Sequence, residues 1–590
     1  MNAVSWLVLA LATTRPLLAH CQTSNDFAIT ADLVWALAAQ PDGKTVFGGS
    51  FNKLVGQPFQ NIARVNADGT LDGDFRPLGI GVVTALAVQA DGRILVAAYL
   101  TNLTDQVVSI LERFNANGSP DGTFVSGGPG DFVNALALQP DGKILVGGPF
   151  KALAGLNREY LARLNVDGTI DGSFNPTIDA SPYSIVTQPD RKILLGGGGF
   201  TRLDGQPRKA LGRLNPDGTL DVGFNPSIGN PWSMALQADG KILLSAGALT
   251  GLTNTPNARL NADGTLDTTF NSALRKRVDS LAIQTDGKIL GTAWDSGSSR
   301  VNSDGSQDAS FNSLTNFAGT SLGLQASGQV LIGGNFIYGL TNNEAATNSL
   351  TYDGTNVTWL RSGASPEVWW TIFELSTNGT DWTSLGAGAR VPGGWQVSGV
   401  LLPAGYTLRA SGGVAGGYLN DSFWVAQSYL GKPVMITQPI DRTNYVGTST
   451  SLAAHAEGSK PLSYQWLRNG VEVITATNSN LSLHNIQISD AGDYSVIISN
   501  QFGGVTSSVA NVTVLLPPLI LIDGNFGFTN GQFGFNIAGP AGQTFVVEWT
   551  GTFVNWVPLQ TNVFGPRPYY FSEPRSTKHS LRFYRARMLQ

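Results

Sequence analysis

The stretch LALQPDGKILVGG, residues 136–148, reads as an apolar run, a turn and a second apolar run. It recurs along the chain. ALAAQPDGKTVFGG begins at Ala36, ALAVQADGRILVAA at Ala85 and MALQADGKILLSA at Met234. Anchored on the glutamine before the turn, the copies fall at Gln40, Gln89, Gln139, Gln188, Gln237, Gln284 and Gln325, spaced by 49, 50, 49, 49, 47 and 41 residues. A fixed period of this size points to a propeller or a solenoid.

A second signature follows the first inside each unit, as in LARLNVDGTIDGSFNP at 161–176. The interval from its Asn to its Phe is nine residues in Asn66–Phe75, Asn115–Phe124, Asn165–Phe174, Asn215–Phe224, Asn261–Phe270 and Asn302–Phe311. Constant spacing through variable sequence means that backbone geometry is being held. One unit therefore reads as four strands: ALALQ, an Asp-Gly turn of the two-residue hairpin kind, KILVGG, then LARLN, a second Asp-Gly turn and TIDGSF. Four strands in 40–50 residues is the content of a propeller blade.

The ends of the array distinguish an open row from a ring. Asp26-Phe27 precedes Gln40 by the interval that separates Phe311 from Gln325, within one residue, so the array starts halfway through a unit. In the seventh unit Tyr352-Asp353-Gly354 stands as the second turn, but no Phe follows nine residues later. Each end lacks what the other supplies. An N-terminal strand filling the last blade would close the ring and leave no long sheet edge exposed. The expectation is an all-β chain with a seven-bladed β-propeller over 24–356.

The two signatures resemble the delta-60 repeat found in large secreted or surface bacterial proteins. The resemblance implies a β-propeller, an extracytoplasmic location and no defined catalytic site. Two copies depart from the pattern. Arg191 replaces the turn glycine, and the unit after Gln284 has a shortened central loop.

Composition fits this reading. Charged residues are 13% of 590, against roughly 25% in average globular chains, and 71 glycines suit short strands joined by tight turns. A net charge of −5 argues against a nucleic-acid partner. The single cysteine, Cys21, rules out an internal disulfide. The apolar run from Val4 to Ala12 is too short to span a bilayer and fits a secretory signal over residues 1–21, despite the absence of Lys or Arg before it. Leu18-Ala19-His20-Cys21 also resembles a lipobox, though His20 departs from the small residue expected there. No later segment is apolar enough to span a membrane.

Catalytic patterns are missing. The four histidines, His20, His455, His484 and His579, lie outside the array and away from metal-ligand spacing. Gly196–Gly199 is followed by no helix, so it is no phosphate loop. The Asn-x-Asp-Gly-Thr-x-Asp turns have a likeness to calcium loops but lack the later bidentate Glu; turn building is the plainer reading. Arg64, Arg113, Arg163, Arg213, Arg259 and Arg300 recur one repeat apart, which suggests a pair with an Asp inside each blade. No cofactor and no metal are expected.

Beyond the array, residues 357–430 hold six of the thirteen tryptophans and read as a small β-domain. Trp369, Trp370, Trp382 and Trp395 are its candidate ligand-binding residues, as stacking platforms for sugar rings; core filling is the alternative. Residues 433–515 resemble an immunoglobulin-type domain, with Trp466, Asp490 and the tyrosine-corner Tyr494 in place and Ala454 and Val496 where the bridging cysteines would stand. Residues 519–590 read as a terminal β-sandwich after the Leu-Leu-Pro-Pro linker. Its Arg575, Lys578, Arg582, Arg585 and Arg587 form a solvated strand face, or a hold on an anionic polymer. The expected function is binding or adhesion by a non-enzymatic secreted or cell-surface protein, its ligand an extracellular protein or glycan. The alternatives are a polysaccharide-active enzyme with carboxylates in the propeller funnel, or a structural spacer. Oligomeric state has no signature in the sequence.

Overall fold

A computed structural model describes residues 27–588, except 41, 55–58, 78, 102–106, 247–248, 250–251, 253–255, 275–276, 296, 312–318, 343, 404, 417–421, 553–554 and 575–581. The signal-peptide and lipobox readings, and Arg575 and Lys578, lie outside the described residues. The chain divides into two compact units, 1–431 and 432–590. None of the helices among the described residues is long and apolar enough to cross a membrane.

Each repeat forms a small antiparallel sheet. In the third, Ala135–Leu138 pairs with Ile144–Gly147, which pairs with Leu161–Leu164. All twelve residues are buried, because both faces of the sheet are covered. Leu136 and Val146 pack with Ala85 and Leu95 of the preceding repeat. Ala135, Ala137 and Leu145 pack with Ile185 and Leu195 of the following one. Apolar residues therefore run continuously along these strands instead of alternating with polar ones, and each fully buried Leu or Ile contributes roughly 1.5–3 kcal/mol.

Two details differ from the sequence reading. The first turn is a three-residue loop, not two: in the first repeat Gly43 N–H donates to Gln40 O and Gln40 N–H to Lys44 O. Asp42 Oδ1 accepts the Lys44 N–H at 3.1 Å, and Gly43 takes a φ of +82°. This is the hairpin with a left-handed last residue. The fourth strand is also reduced, to single bridges such as Leu164↔Ile170. Its extension is stopped by Asp171, whose Oδ1 accepts the Ser173 N–H at 3.0 Å while its backbone carbonyl accepts the Phe174 N–H at 3.2 Å. The chain bends there and carries Phe174 back.

That bend places Phe174 over Arg163, the guanidinium 4.3 Å from the ring centroid. Arg163 Nε donates to Asp171 Oδ2 at 2.8 Å, and Lys143 reaches the same oxygen at 2.8 Å. Arg163 Nη1 donates to Pro216 O, in the second turn of the next repeat, at 2.6 Å. The same arrangement recurs: Arg113 reaches Val166 O, Arg213 reaches Ala262 O and Arg259 reaches Ser303 O. So the arginine–aspartate pair expected within a blade is present, and it also bonds to the neighbouring sheet. The turn glycine completes the joint. A Cβ on Gly168, whose φ is +89°, would stand 2.9 Å from the Phe124 ring of the preceding repeat.

The last repeat is built from Gly319–Leu324, Val330–Gly334 and Phe336–Leu340, and Phe27–Thr30 adds to it as a fourth strand, with Phe27 opposite Gly339. Thr320 Oγ1 donates to Val34 O, and Gln325 Nε2 to Gly43 O at 3.3 Å. These bonds join the last repeat to the first. Tyr352-Asp353-Gly354 is not the second turn of that repeat. It connects Ala346–Tyr352 to Val357–Gly363, a hairpin in a sheet with Gly394–Val397 and Ala389–Val391.

The tryptophan-rich segment shares one compact unit with the repeats. Its hairpin of Thr407–Gly416 and Ser422–Gly431 contacts the first strands of five repeats: Leu33–Ala39, Val82–Val88, Ala135–Leu138, Ser280–Ile283 and Gly319–Leu324. Leu408, Ala410, Val414 and Ala426 share a core with Val83, Leu86 and Leu322. Gln427 Nε2 donates to Ala90 O at 2.9 Å.

In the second unit, Trp466, Tyr494, Ala454 and Val496 are all in one buried core. Tyr494 Oη donates to Asp490 O at 2.9 Å, the tyrosine corner. Ala454 and Val496 enter that core as apolar groups at the positions where a bridge would otherwise stand. The terminal module pairs Thr544–Thr550 with Val557–Val563 and Phe583–Met588. Arg585 and Arg587 bind Glu548, and Arg582 binds Glu573, so these three arginines are each held by a carboxylate.

Two outcomes are expected. Arg191 holds the left-handed turn position with a φ of +65°, so Arg191→Gly should stabilise the unit by about 1 kcal/mol in denaturant titration. Burial pushes the Asp171 carboxyl up, but Lys143, Ser173 and Arg163 outweigh it and hold it well below its ordinary 3.8. A depressed carboxylate contributes stability above its unfolded value and loses it as pH falls. Thermal midpoints should therefore be level above about pH 5 and drop below about pH 4, and Asp171→Asn should make that acid limb slightly shallower, since Asp72, Asp121, Asp221, Asp267 and Asp308 are depressed in the same way.

Candidate functional site

Where the first turns of the fourth and fifth repeats meet the tryptophan-rich segment, a cavity of about 470 Å³ opens. One wall is Gln188-Pro189-Asp190 and Leu236–Gly240; the other is Glu367-Val368-Trp369, Gly388-Ala389-Arg390 and Trp395. The first wall is fixed by the repeat joints, since Gln188 Oε1 accepts from Arg213 at 3.3 Å and Gln237 Oε1 from Arg259 at 3.2 Å.

The second wall is stitched to the sixth repeat by backbone. Thr285 N–H donates to Ser365 O and Glu367 N–H to Ile283 O, while Gln284 Nε2 donates to Ala364 O at 3.3 Å. Glu367 is only 3% exposed, and its Oε1 accepts from Arg390 Nη1 at 2.7 Å. Arg361 is buried nearby, donating to Pro366 O at 2.8 Å and lying 4.7 Å from the Trp359 ring centroid. Burial pushes Arg361 down to about 10, against the pull of the Glu367 carboxylate and with the help of Arg390. One buried carboxylate thus balances two guanidinium groups.

The four candidate tryptophans separate. Trp369 and Trp395 both line the cavity, and both are buried. Arg390 lies 5.0 Å from the Trp395 ring centroid, and Trp395 Nε1 is buried without a hydrogen-bond partner. Trp370 is not in the lining; it joins the core that includes Ala235, Leu236 and Leu281. Trp382 is half-buried, 4.0 Å from the Arg409 guanidinium and edge-on to Tyr429. Trp369, Trp370 and Trp395 are buried, because the segment packs its indoles against the repeats. Glu367 and Arg390 were not singled out in the sequence, although Glu367 stands two residues before the Trp369-Trp370 pair, and the repeat turns were read there as structure alone.

The carboxylates of the repeats are used in turns and joints. Asp68 Oδ1 accepts from the Thr70 N–H and hydroxyl at 2.9 and 2.6 Å, which is turn chemistry. Among the described residues no group of three or more His, Cys, Asp or Glu is placed to hold a metal ion. Desolvation and the neighbouring Glu344 carboxylate push Asp286 up to about 6.

The comparisons with known proteins agree with the two kinds of module. Residues 40–75, 89–124, 139–174, 188–224 and 237–270 match the family described as a domain of unknown function (DUF5122) beta-propeller. Residues 432–500 match the immunoglobulin domain family. The chain carries a DUF5122 beta-propeller repeat region and an immunoglobulin-like domain. It is similar to HEPACAM family member 2 of Homo sapiens, 31% identical over 126 residues, covering 20% of this chain and 25% of that protein. With the Bos taurus protein of the same name the identity is 33% over 95 residues, 15% of this chain and 19% of that one. The chain thus spans a quarter or less of these curated relatives. Among solved structures, the tandem Ig repeats of Dlar match at 18% identity and a TM-score of 0.14, over 29% of this chain and 100% of that one. A chimeric titin Z1Z2 matches at 20% and 0.13, over 14% and 95%.

Glu367→Gln is expected to destabilise the unit by about 3 kcal/mol, because it leaves Arg361 buried without its counter-charge. Asp239→Asn, at an exposed side chain, should stay within about 0.5 kcal/mol in the same titration.

Proposed function

We propose that this chain is a secreted or cell-surface modular protein that binds an extracellular protein or glycan and is not an enzyme. In this reading the repeats form a closed seven-bladed propeller from 24 to the Phe336–Leu340 strand, short of the 356 read from the sequence because the hairpin of Ala346–Tyr352 and Val357–Gly363 belongs to the tryptophan-rich domain that follows to 430; the Ig-like domain at 433–515 and a terminal β-sandwich at 519–590 come after it. Residues 1–21 act as the export signal. Closure is supported by the Phe27–Thr30 strand on the last repeat and by the Gln325–Gly43 bond.

One observation carries the binding reading. The recurrent charges of the repeats are consumed in joining sheet to sheet, whereas at the cavity aromatic, acidic and basic side chains converge beside a buried indole N–H that has no partner. The hairpin against the first strands of five repeats also disfavours the alternative of carboxylate chemistry in a propeller funnel. Polar groups concentrated in a mostly apolar recess are the mark of a binding site.

The test is a screen of the purified chain against immobilised glycans and extracellular proteins. Saturable binding to a member of either class is expected, with no turnover of bound polysaccharide. Release of sugar fragments would overturn the non-enzymatic reading. Deleting residues 27–31 should lower the thermal midpoint by several degrees, and an unchanged midpoint would count against closure.

A further inference from the structure

We propose that the cavity between the fourth and fifth repeats and the tryptophan-rich segment binds a neutral hexosyl unit of a glycan. This rests on the reading of the chain as a binding protein and names the ligand class. The volume, about 470 Å³, falls in the range of small-ligand pockets and is too small for the face of a folded partner.

The lining sets the chemistry. Trp369 and Trp395 supply apolar aromatic surface, which suits the C–H face of a sugar ring. Trp395 Nε1 is a buried donor without an acceptor, in a residue only 4% exposed, and a buried polar group left unpaired calls for a partner. Glu367 offers a carboxylate whose hydrogen-bond partner among the described residues is Arg390, through Oε1 alone. A hydroxyl both donates and accepts, so one ring carrying several hydroxyls meets the indole N–H, the carboxylate and the guanidinium together. An apolar ligand would leave the indole N–H unsatisfied.

Charge selects among sugars. The lining holds three carboxylates, Asp190, Asp239 and Glu367, and one guanidinium, Arg390, which pairs with Glu367, while Lys241 stands 3.8 Å from Asp239 and the exposed Asp190 lies outside both pairs. An anionic sugar would add repulsion at the exposed Asp239 rim, whereas a neutral one would not. The same argument disfavours a nucleotide or a sulfated chain.

The experiment titrates the full chain with neutral oligosaccharides of glucose, galactose, mannose and N-acetylglucosamine, and with glucuronate and galacturonate oligosaccharides, by calorimetry and tryptophan fluorescence. At least one neutral probe should bind saturably and perturb the indole emission, with the uronates weaker. Trp395→Phe, which keeps a ring and removes the N–H, should weaken binding by about tenfold. Asp239→Lys, at the exposed rim, should shift preference toward the uronates without lowering the thermal midpoint, and it reports on the site even if the Trp395 variant misfolds. Uronates binding more tightly than neutral probes would overturn the assignment. So would neutral binding unchanged in both variants, although the chain would then remain a binding protein. Binding of an extracellular protein but of no saccharide has the same meaning. Absence of binding to either class would remove both readings.

Discussion

In each of the first six repeats an arginine on the third strand is held between a phenylalanine ring and an aspartate, and in the first five it also donates to a carbonyl of the next sheet. Much else in the first unit depends on this one arrangement. It makes the bend after the second turn necessary, since the ring must fold back over the guanidinium. It fixes the distance from the turn Asn to the Phe, which cannot drift by a residue without removing the ring from the cation. It also explains why a chain with few charges repeats the same ones. Buried arginine is costly unless paired and hydrogen-bonded, and here aspartate, ring and neighbouring carbonyl together meet that requirement. The sixth repeat shows the rule by its exception: Arg300 finds no second turn ahead and bonds Asn342 Oδ1 at 2.8 Å instead.

The sequence carried the repeat and the strand that opens it, but not where the array stops. Gln40 to Gln325 sets the period, and the missing half-unit at each end anticipated the pairing of Phe27–Thr30 with Phe336–Leu340. The Ig-like core around Trp466 and Tyr494 was equally legible, because those positions are dictated by packing that survives the loss of the cysteines. Strand count was less so. TIDGSF has strand-like composition, and only the hydrogen bonds of Asp171 and the position of Phe174 show that it turns. Tyr352-Asp353-Gly354 misled for a related reason: an Asp-Gly turn says that a hairpin forms, not which sheet it joins.

The candidate site was harder to see. A tryptophan's composition signal is the same whether its ring is a platform or a core filler, and Ala235, Leu236 and Leu281, which share a core with Trp370, lie far earlier in the chain. Glu367 and Arg390 are 23 residues apart and follow no motif, so their meeting is a product of tertiary structure alone. The turns at Gln188 and Gln237 look like every other repeat turn. What distinguishes them is that the indoles of Trp369 and Trp395 lie opposite.

Pairing the first described strand with the last repeat sets a schedule for synthesis. Phe27–Thr30 emerges from the ribosome early, yet the strand that receives it, Phe336–Leu340, follows some 300 residues behind. At bacterial or eukaryotic translation speeds of roughly 5–20 residues per second, that is a wait of roughly 15–60 s. During that interval the first strand has no partner and the growing row of sheets keeps an open edge, the condition under which chains pair wrongly with one another. Neighbour-to-neighbour joints let each sheet dock as it appears, so the nascent chain leaves one edge, instead of many, waiting for the segment that ends the row.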